Sequence, residues 1–243
     1  MFFRLAAAAA SFIMFPGIAP AATAALRPPT ASALILVQAK PDPLGAHAAI
    51  EWARERLLEI DATVATLEED AGRLRDDASK RADDAIAKLR ATRDAYGAKF
   101  DAVLADGRQQ TEATVAEARA ALEAQWSEFE RELEGYFTSI NSEIALRKQV
   151  FQARAKAAEA YWRQRIADLK AQAASAAAER RTALEARIAA LQVEAEAAKA
   201  RLARLQVAGG EAWSALRDGL AEARSVFDKT YEAVRAALER ARQ

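Results

Sequence analysis

The 243-residue chain has no cysteine, one histidine (His47), four tryptophans and no proline beyond residue 43. The missing cysteines exclude disulfides, thiol nucleophiles and iron–sulfur ligation, and a lone histidine without cysteine cannot supply the ligands of a zinc site. A Ser-His-Asp arrangement has to run through His47, which lies beside a proline-bearing linker. Aromatic residues make up only 7% of the chain, and 35 basic side chains balance 35 acidic ones. That balance, with no exposed aromatics interleaved among the basic residues, argues against a nucleic-acid binder. Gly209 and Gly210 are the closest approach to a glycine-rich loop, and they lack the strand and Lys-Ser/Thr context of a phosphate loop. No catalytic, cofactor or metal residue is therefore assigned, and the chain reads as non-enzymatic.

What fills the chain instead is alanine, 66 residues or about 27%, with Leu, Glu, Arg and Lys, the composition of long helices and coiled coils. All six prolines (Pro16, Pro20, Pro28, Pro29, Pro41 and Pro43) precede a stretch of 200 residues without one. An interior proline costs a helix about 3 kcal/mol, so this stretch permits very long helices. The prolines thus set a domain boundary near residue 44.

Residues 1–24 read as a secretory signal, with Arg4 as the positive n-region and an apolar run from Leu5 to Ile18. Small residues after it allow cleavage after Ala21 or Ala24, and a further site follows Ala39. That apolar run is shorter than the roughly 20 residues a bilayer core needs. An exported, periplasmic location is expected, with 25–44 as a disordered linker that completes an N-terminal leader.

Beyond it the apolar positions step by three and four. Leu57, Ile60, Val64, Leu67, Ala71, Leu74 and Ala78 form a heptad series, and Ala82, Ile86 and Leu89 insert a stutter. The spacing predicts one long acidic helix over 45–138, with Gly97 and Gly107 as places for a bend. Gly135, Ser139, Asn141 and Ser142 mark a turn. A basic helix over 142–207 carries Trp162, Ile166 and Leu169 on its stripe, and Gly209 and Gly210 end it. A third helix over 211–242 carries Trp213, Leu216 and Leu220.

Charge is sorted along this body. Residues 51–143 hold 22 acidic and 13 basic side chains, a net of −9, whereas 144–243 hold 12 acidic and 19 basic, a net of +7. Halves of opposite sign joined by a turn attract when folded back. The expected fold is all-α, an elongated antiparallel helical hairpin or coiled coil of two to three long helices.

Two features have a functional reading and a plainer one. Asp76, Asp77, Asp83 and Asp84 recur at seven-residue spacing and so project from one side of the helix, where clustered carboxylates can hold a hard cation, yet flanking Arg73, Arg75, Lys80 and Arg81 favour a solvated charged face. Trp52, Trp126, Trp162 and Trp213 lie on or beside the apolar stripe and read as core fillers among alanines.

The stretch from Tyr161 to Ala173, followed by that from Leu202 to Leu220, resembles a bacterial family of small coiled-coil stress-response proteins. Trp162, Ile166, Leu169, Lys170, Trp213, Leu216, Arg217 and Gly219 carry the likeness, which covers about 154–242. The resemblance implies a coiled coil without catalytic residues.

The function expected is structural, scaffolding or stress-related, in the cell envelope, through helix–helix contacts with protein partners or a second copy. The seam residues Leu57, Ile60, Val64, Leu67, Trp162, Ile166, Leu169, Trp213, Leu216 and Leu220 are the candidate contact residues. A periplasmic holdase-like chaperone is the alternative. Membrane contact by a lipid-surface amphipathic helix is not favoured, because the stripe is narrow and alanine-diluted.

Overall fold

The computed structural model describes residues 43–106, 111–141, 144–207 and 213–242. They form six helices: α1 (Pro43–Ala71), α2 (Asp76–Asp106), α3 (Glu112–Ser139), α4 (Ile144–Ala174), α5 (Ala178–Val207) and α6 (Trp213–Arg242). Each is about 45 Å long at 1.5 Å per residue. The all-α reading holds, but the architecture is a helical bundle and not a hairpin of two to three long helices. The expected acidic helix is divided into α1, α2 and α3, and the expected basic helix into α4 and α5. The secretory signal and most of the linker, together with Gly107, Gly209 and Gly210, lie outside the described residues.

The physical reason for the extra reversals lies in burial. A lone helix leaves its stripe in water, whereas lengths of about 30 residues folded back on one another bury each stripe against two neighbours. The heptad series expected to run straight through 57–78 does continue into one core: Leu67 and Ala71 are buried on α1, Leu74 is half-buried in the turn, and Ala82 and Ile86 are buried on α2. The chain reverses between them. Gly72, whose N–H bonds the Glu68 carbonyl at 3.1 Å, leads into this turn, and Asp76 takes a left-handed φ of 53°. Gly97, a candidate bend, sits inside α2 without interrupting it.

The other described ends have local causes. Thr111 caps α3 by accepting a hydrogen bond from the Thr114 N–H. The expected turn after α3 is present. Asn141 takes φ 51°, with its N–H on the Thr138 carbonyl at 3.2 Å, a conformation asparagine tolerates just past a helix end. The α4–α5 reversal has no glycine or proline. It is closed at Ser175 and Ala176 by bonds to the Gln172 and Ala173 carbonyls, and at Arg180 and Arg181 by bonds to that of Ala177.

The six helices sort into two three-helix bundles. In the first, α1, α2 and α3 enclose Ile60, Leu67, Leu89, Tyr96, Leu122, Phe129, Leu133 and Tyr136; in the second, α4, α5 and α6 enclose Trp162, Leu169, Leu191, Leu202, Leu220 and Phe227. The bundles meet chiefly where α1 packs along α4. Helix α1 is the axis of this arrangement, touching α2, α3 and α4. Tyr96 from α2 and Tyr136 from α3 each donate a hydroxyl hydrogen bond to an α1 carbonyl, those of Ala53 and Leu67, and Tyr161 from α4 donates to the Glu51 carboxylate of α1. A buried phenol needs such an acceptor, and these three bonds fix the height of each neighbour against α1.

Candidate functional site

The α1–α4 contact is polar at its centre. Glu51, Glu55 and Glu59 recur every fourth residue on α1, so they share one face, and all three are buried. Arg154 and Arg165 on α4 and Arg224 on α6 are buried opposite them. An isolated buried charge costs several kcal/mol, so such groups persist only with close partners.

Those partners lie across the seam. Glu51 accepts from the Tyr161 hydroxyl and stands 3.5 Å from Arg165 Nε. Glu55 Oε1 accepts from Trp162 Nε1 at 2.8 Å and lies 3.6 Å from Arg224 Nε. Glu59 pairs with Arg224, with Arg154 Nε at 3.6 Å and with Arg56 Nη1 at 3.8 Å. Glu130 of α3 pairs with Arg154 and, at 3.3 Å, with Arg217 Nη1. The excess acid of the first half and the excess base of the second thus meet as buried pairs.

Around this row the aromatic rings hold the guanidiniums from their faces. Arg56 lies between Trp52, at 5.1 Å, and Trp126, at 4.9 Å, while Arg154 lies 4.8 Å from Trp126 and 6.0 Å from Trp213. Arg165 sits 3.6 Å over Tyr231 and bonds Asp228 at 2.6 Å. Desolvated cation–π contacts of this kind are worth up to about 2 kcal/mol each.

The electrostatics are uneven. Burial pushes the Glu55 carboxyl up to about 8, against the opposing pull of Arg224. Burial likewise raises Glu232, beside Arg165, to about 7. Glu130 goes the other way: burial pushes it up, but the charge and hydrogen bond of Arg154, with Arg217, bring it below the ordinary carboxylate range. Arg56 is held below the usual guanidinium range by burial and then by the like charge of Arg224.

At one end the cluster opens into a cleft of about 240 Å³ among α1, α3, α4 and α6. Arg56, Arg154, Arg217 and Arg224 line it with Glu130 and Asp218, and Trp126, Leu220 and Ala221 add apolar wall. Arginine is the fork-shaped donor that matches oxyanions, so the lining is suited to binding rather than to acid–base chemistry.

The ten seam residues named from the sequence fall in the two cores. Ile60 and Leu67 are buried in the first bundle, with Leu57 and Val64 half-buried against it; Trp162, Ile166, Leu169, Leu216 and Leu220 are buried in the second. Half-buried Trp213 touches both, meeting Phe137 edge-on at 5.4 Å. Sequence reasoning missed the Glu51, Glu55 and Glu59 row. Its signal was three glutamates at four-residue spacing, with Ala53 and Ile60 of the apolar stripe one or two residues away.

Asp76, Asp77, Asp83 and Asp84 are all exposed, in keeping with a solvated face. Among the described residues no group of three His, Cys, Asp or Glu converges as metal ligands do, and no helix is long and apolar enough to cross a membrane. Compared with known proteins, the chain matches no family model, no curated protein and no solved structure.

Proposed function

We propose that the protein is a non-enzymatic, exported helical-bundle protein of the cell envelope. In this reading it has a scaffolding or stress-related role and works through helix-face contacts with protein partners or a second copy. The observation that carries the reading is a second stripe on α5. The first, through Leu184, Ile188, Leu191 and Leu202, is spent on the bundle core. The second, through Ala183, Ala186, Ala190, Val193, Ala197 and Ala200, steps by three and four and is exposed throughout. Val193 is 69% exposed, and Val226 on α6, 45% exposed, lines a groove with Ala197. Small side chains at heptad spacing let a partner helix approach closely, and the flanking Arg201–Glu222 pair supplies charges for register.

The helix-face reading is preferred to a holdase because the long apolar stripes are used inside the two bundles, and the larger exposed apolar residues Leu58, Leu104 and Ile144 stand on three different helices. A photo-crosslinking residue at position 193, with the same residue at Arg75 as a control, tests it in cells. A discrete protein adduct at 193 that Val226→Asp removes is expected. Adducts equally abundant from both positions, or none from 193, overturn the proposal. Fractionation and sequencing of the mature N-terminus test export: a start at Met1 overturns it.

A further inference from the structure

The helix-face reading makes no use of the arginine cleft, which lies at the junction of α1, α3, α4 and α6. Its lining sets four guanidiniums against Glu130 and Asp218, with the buried Glu59 and Glu55 paired to them from behind. The carboxylate of Glu59 serves Arg56, Arg154 and Arg224 together, and that of Glu130 serves Arg154 and Arg217. Arg56 is the least satisfied. Its side chain is only 11% exposed, its Nε and Nη1 have no hydrogen-bond partner, and Glu59 stands 3.8 Å away. The Trp52 and Trp126 rings hold its guanidinium by the faces and offer no acceptor to its N–H groups. At the rim, Arg217 is 40% exposed and its Nε also has no hydrogen-bond partner.

We propose that this cleft is a binding site for a small phosphate-bearing anion, held by Arg56, Arg154, Arg217 and Arg224 with Trp126 as its apolar wall. The donors come from three helices, α1, α4 and α6, so they suit a tetrahedral oxyanion better than a planar carboxylate. A volume of about 240 Å³ is that of about eight waters at 30 Å³ each. This admits a phosphate with a small organic remainder. Arg217 at the mouth makes the first contact. Behind it, Arg56 supplies N–H groups already oriented by two rings, so little ordering is lost on binding. The anion also restores the counter-charge that burial and Arg224 deny Arg56.

The test is titration of the full chain with inorganic phosphate, glycerol phosphate and succinate, against sodium chloride at matched ionic strength, read by tryptophan fluorescence and by thermal unfolding. Saturable binding of either phosphate probe is expected, weakened at least about tenfold in Arg217→Gln and in Arg56→Gln. Arg217→Gln, at the rim, should melt close to the parent without phosphate, whereas Arg56→Gln loses the contacts to the Trp52 and Trp126 rings and should melt lower; if Arg56→Gln fails to fold, Arg217→Gln carries the test. No saturable response to either phosphate probe, an equal response to chloride, or unchanged affinity in Arg217→Gln overturns the site. Tighter binding of succinate than of phosphate overturns the phosphate assignment. Val226→Asp, remote from the cleft, leaves the titration unchanged, so loss of the helix-face contact and loss of anion binding are read separately.

Discussion

Trp162 Nε1 donates to Glu55 Oε1 at 2.8 Å, joining residues 107 positions apart across the seam between the two bundles. Both partners are buried, and the indole stacks on Phe227 at 5.0 Å on its other side. An indole N–H can donate to a neutral carboxyl as well as to a carboxylate, so this bond does not require Glu55 to be charged.

That freedom sets a pH dependence. Glu55 titrates at about 8 in the folded chain, against 4.5 ordinarily. Between those values folding takes up a proton, so the stability Glu55 contributes is complete below about 4.5, falls as pH rises and is lost above about 8. Glu55→Gln keeps the acceptor for Trp162 and cannot ionise. Urea unfolding at pH 5 and pH 8 should find the variant equal to the parent at the lower pH and more stable, by at least about 1 kcal/mol, at the higher. Glu232, raised to about 7, adds a slope of the same sign that the variant retains. Parallel profiles for the two proteins contradict the assignment.

Glu59 carries more of the fold than its single charge suggests, since three guanidiniums share it. Glu59→Ala leaves Arg154 with Glu130 alone, Arg56 without its carboxylate and Arg224 beside a Glu55 carboxyl that is protonated below about pH 8, and should cost about 3–5 kcal/mol in urea unfolding at neutral pH. Replacing the group as a unit, with Glu59→Leu, Glu130→Gln, Arg56→Met, Arg154→Met and Arg224→Leu together, should cost less than Glu59→Ala alone. A cost for the combined variant larger than for Glu59→Ala shows that the charges themselves stabilise the seam.

The glycines separate backbone cost from packing. A Cβ added at Gly97 or Gly135 meets nothing within 4 Å, and both lie inside helices. Gly97→Ala and Gly135→Ala should each raise stability by about 0.5–1 kcal/mol. At Gly219 the added carbon falls 2.3 Å from Leu205 Cδ1, so Leu205 has to turn aside before the same propensity gain is realised. Thermal unfolding should rank Gly219→Ala below the other two; equal gains at all three sites would mean that Leu205 moves at no cost.

The helical class, the turn after Ser139 and the stripe residues were legible because they depend on period and on local turn chemistry. The reversals after Ala71 and Ala174 were not. A heptad register that passes through a short turn into a returning helix keeps facing the same core, so Leu67, Ala71 and Ala82 give one periodic series whether the chain runs on or doubles back. At Ala176 and Ala177 the turn uses the residue most common throughout the helices. The charge asymmetry was visible as attraction between halves, without the residues that make the pairs. Pairing through burial depends on Glu51, Glu55 and Glu59 lying on the α1 face that meets α4, and one helix's sequence does not name its neighbour.

Asn141 tests a turn that the sequence did mark. Its φ of 51° is left-handed, and its N–H closes on the Thr138 carbonyl at 3.2 Å. Such a position costs an ordinary L-residue roughly 1–2 kcal/mol and a glycine nothing. Asn141→Gly should therefore hold or gain a few tenths of a kcal/mol, and Asn141→Val should lose about 1–2 kcal/mol, with the β-branch adding to the clash. Asp76, at φ 53°, has the same backbone, but its carboxylate opens α2, where negative charge is favoured by about 0.3–1 kcal/mol. Asp76→Gly trades one effect for the other and should gain less than Asn141→Gly. Denaturant midpoints in low and high salt check the difference, since salt screens the charge at Asp76 and leaves the backbone effect at Asn141 untouched.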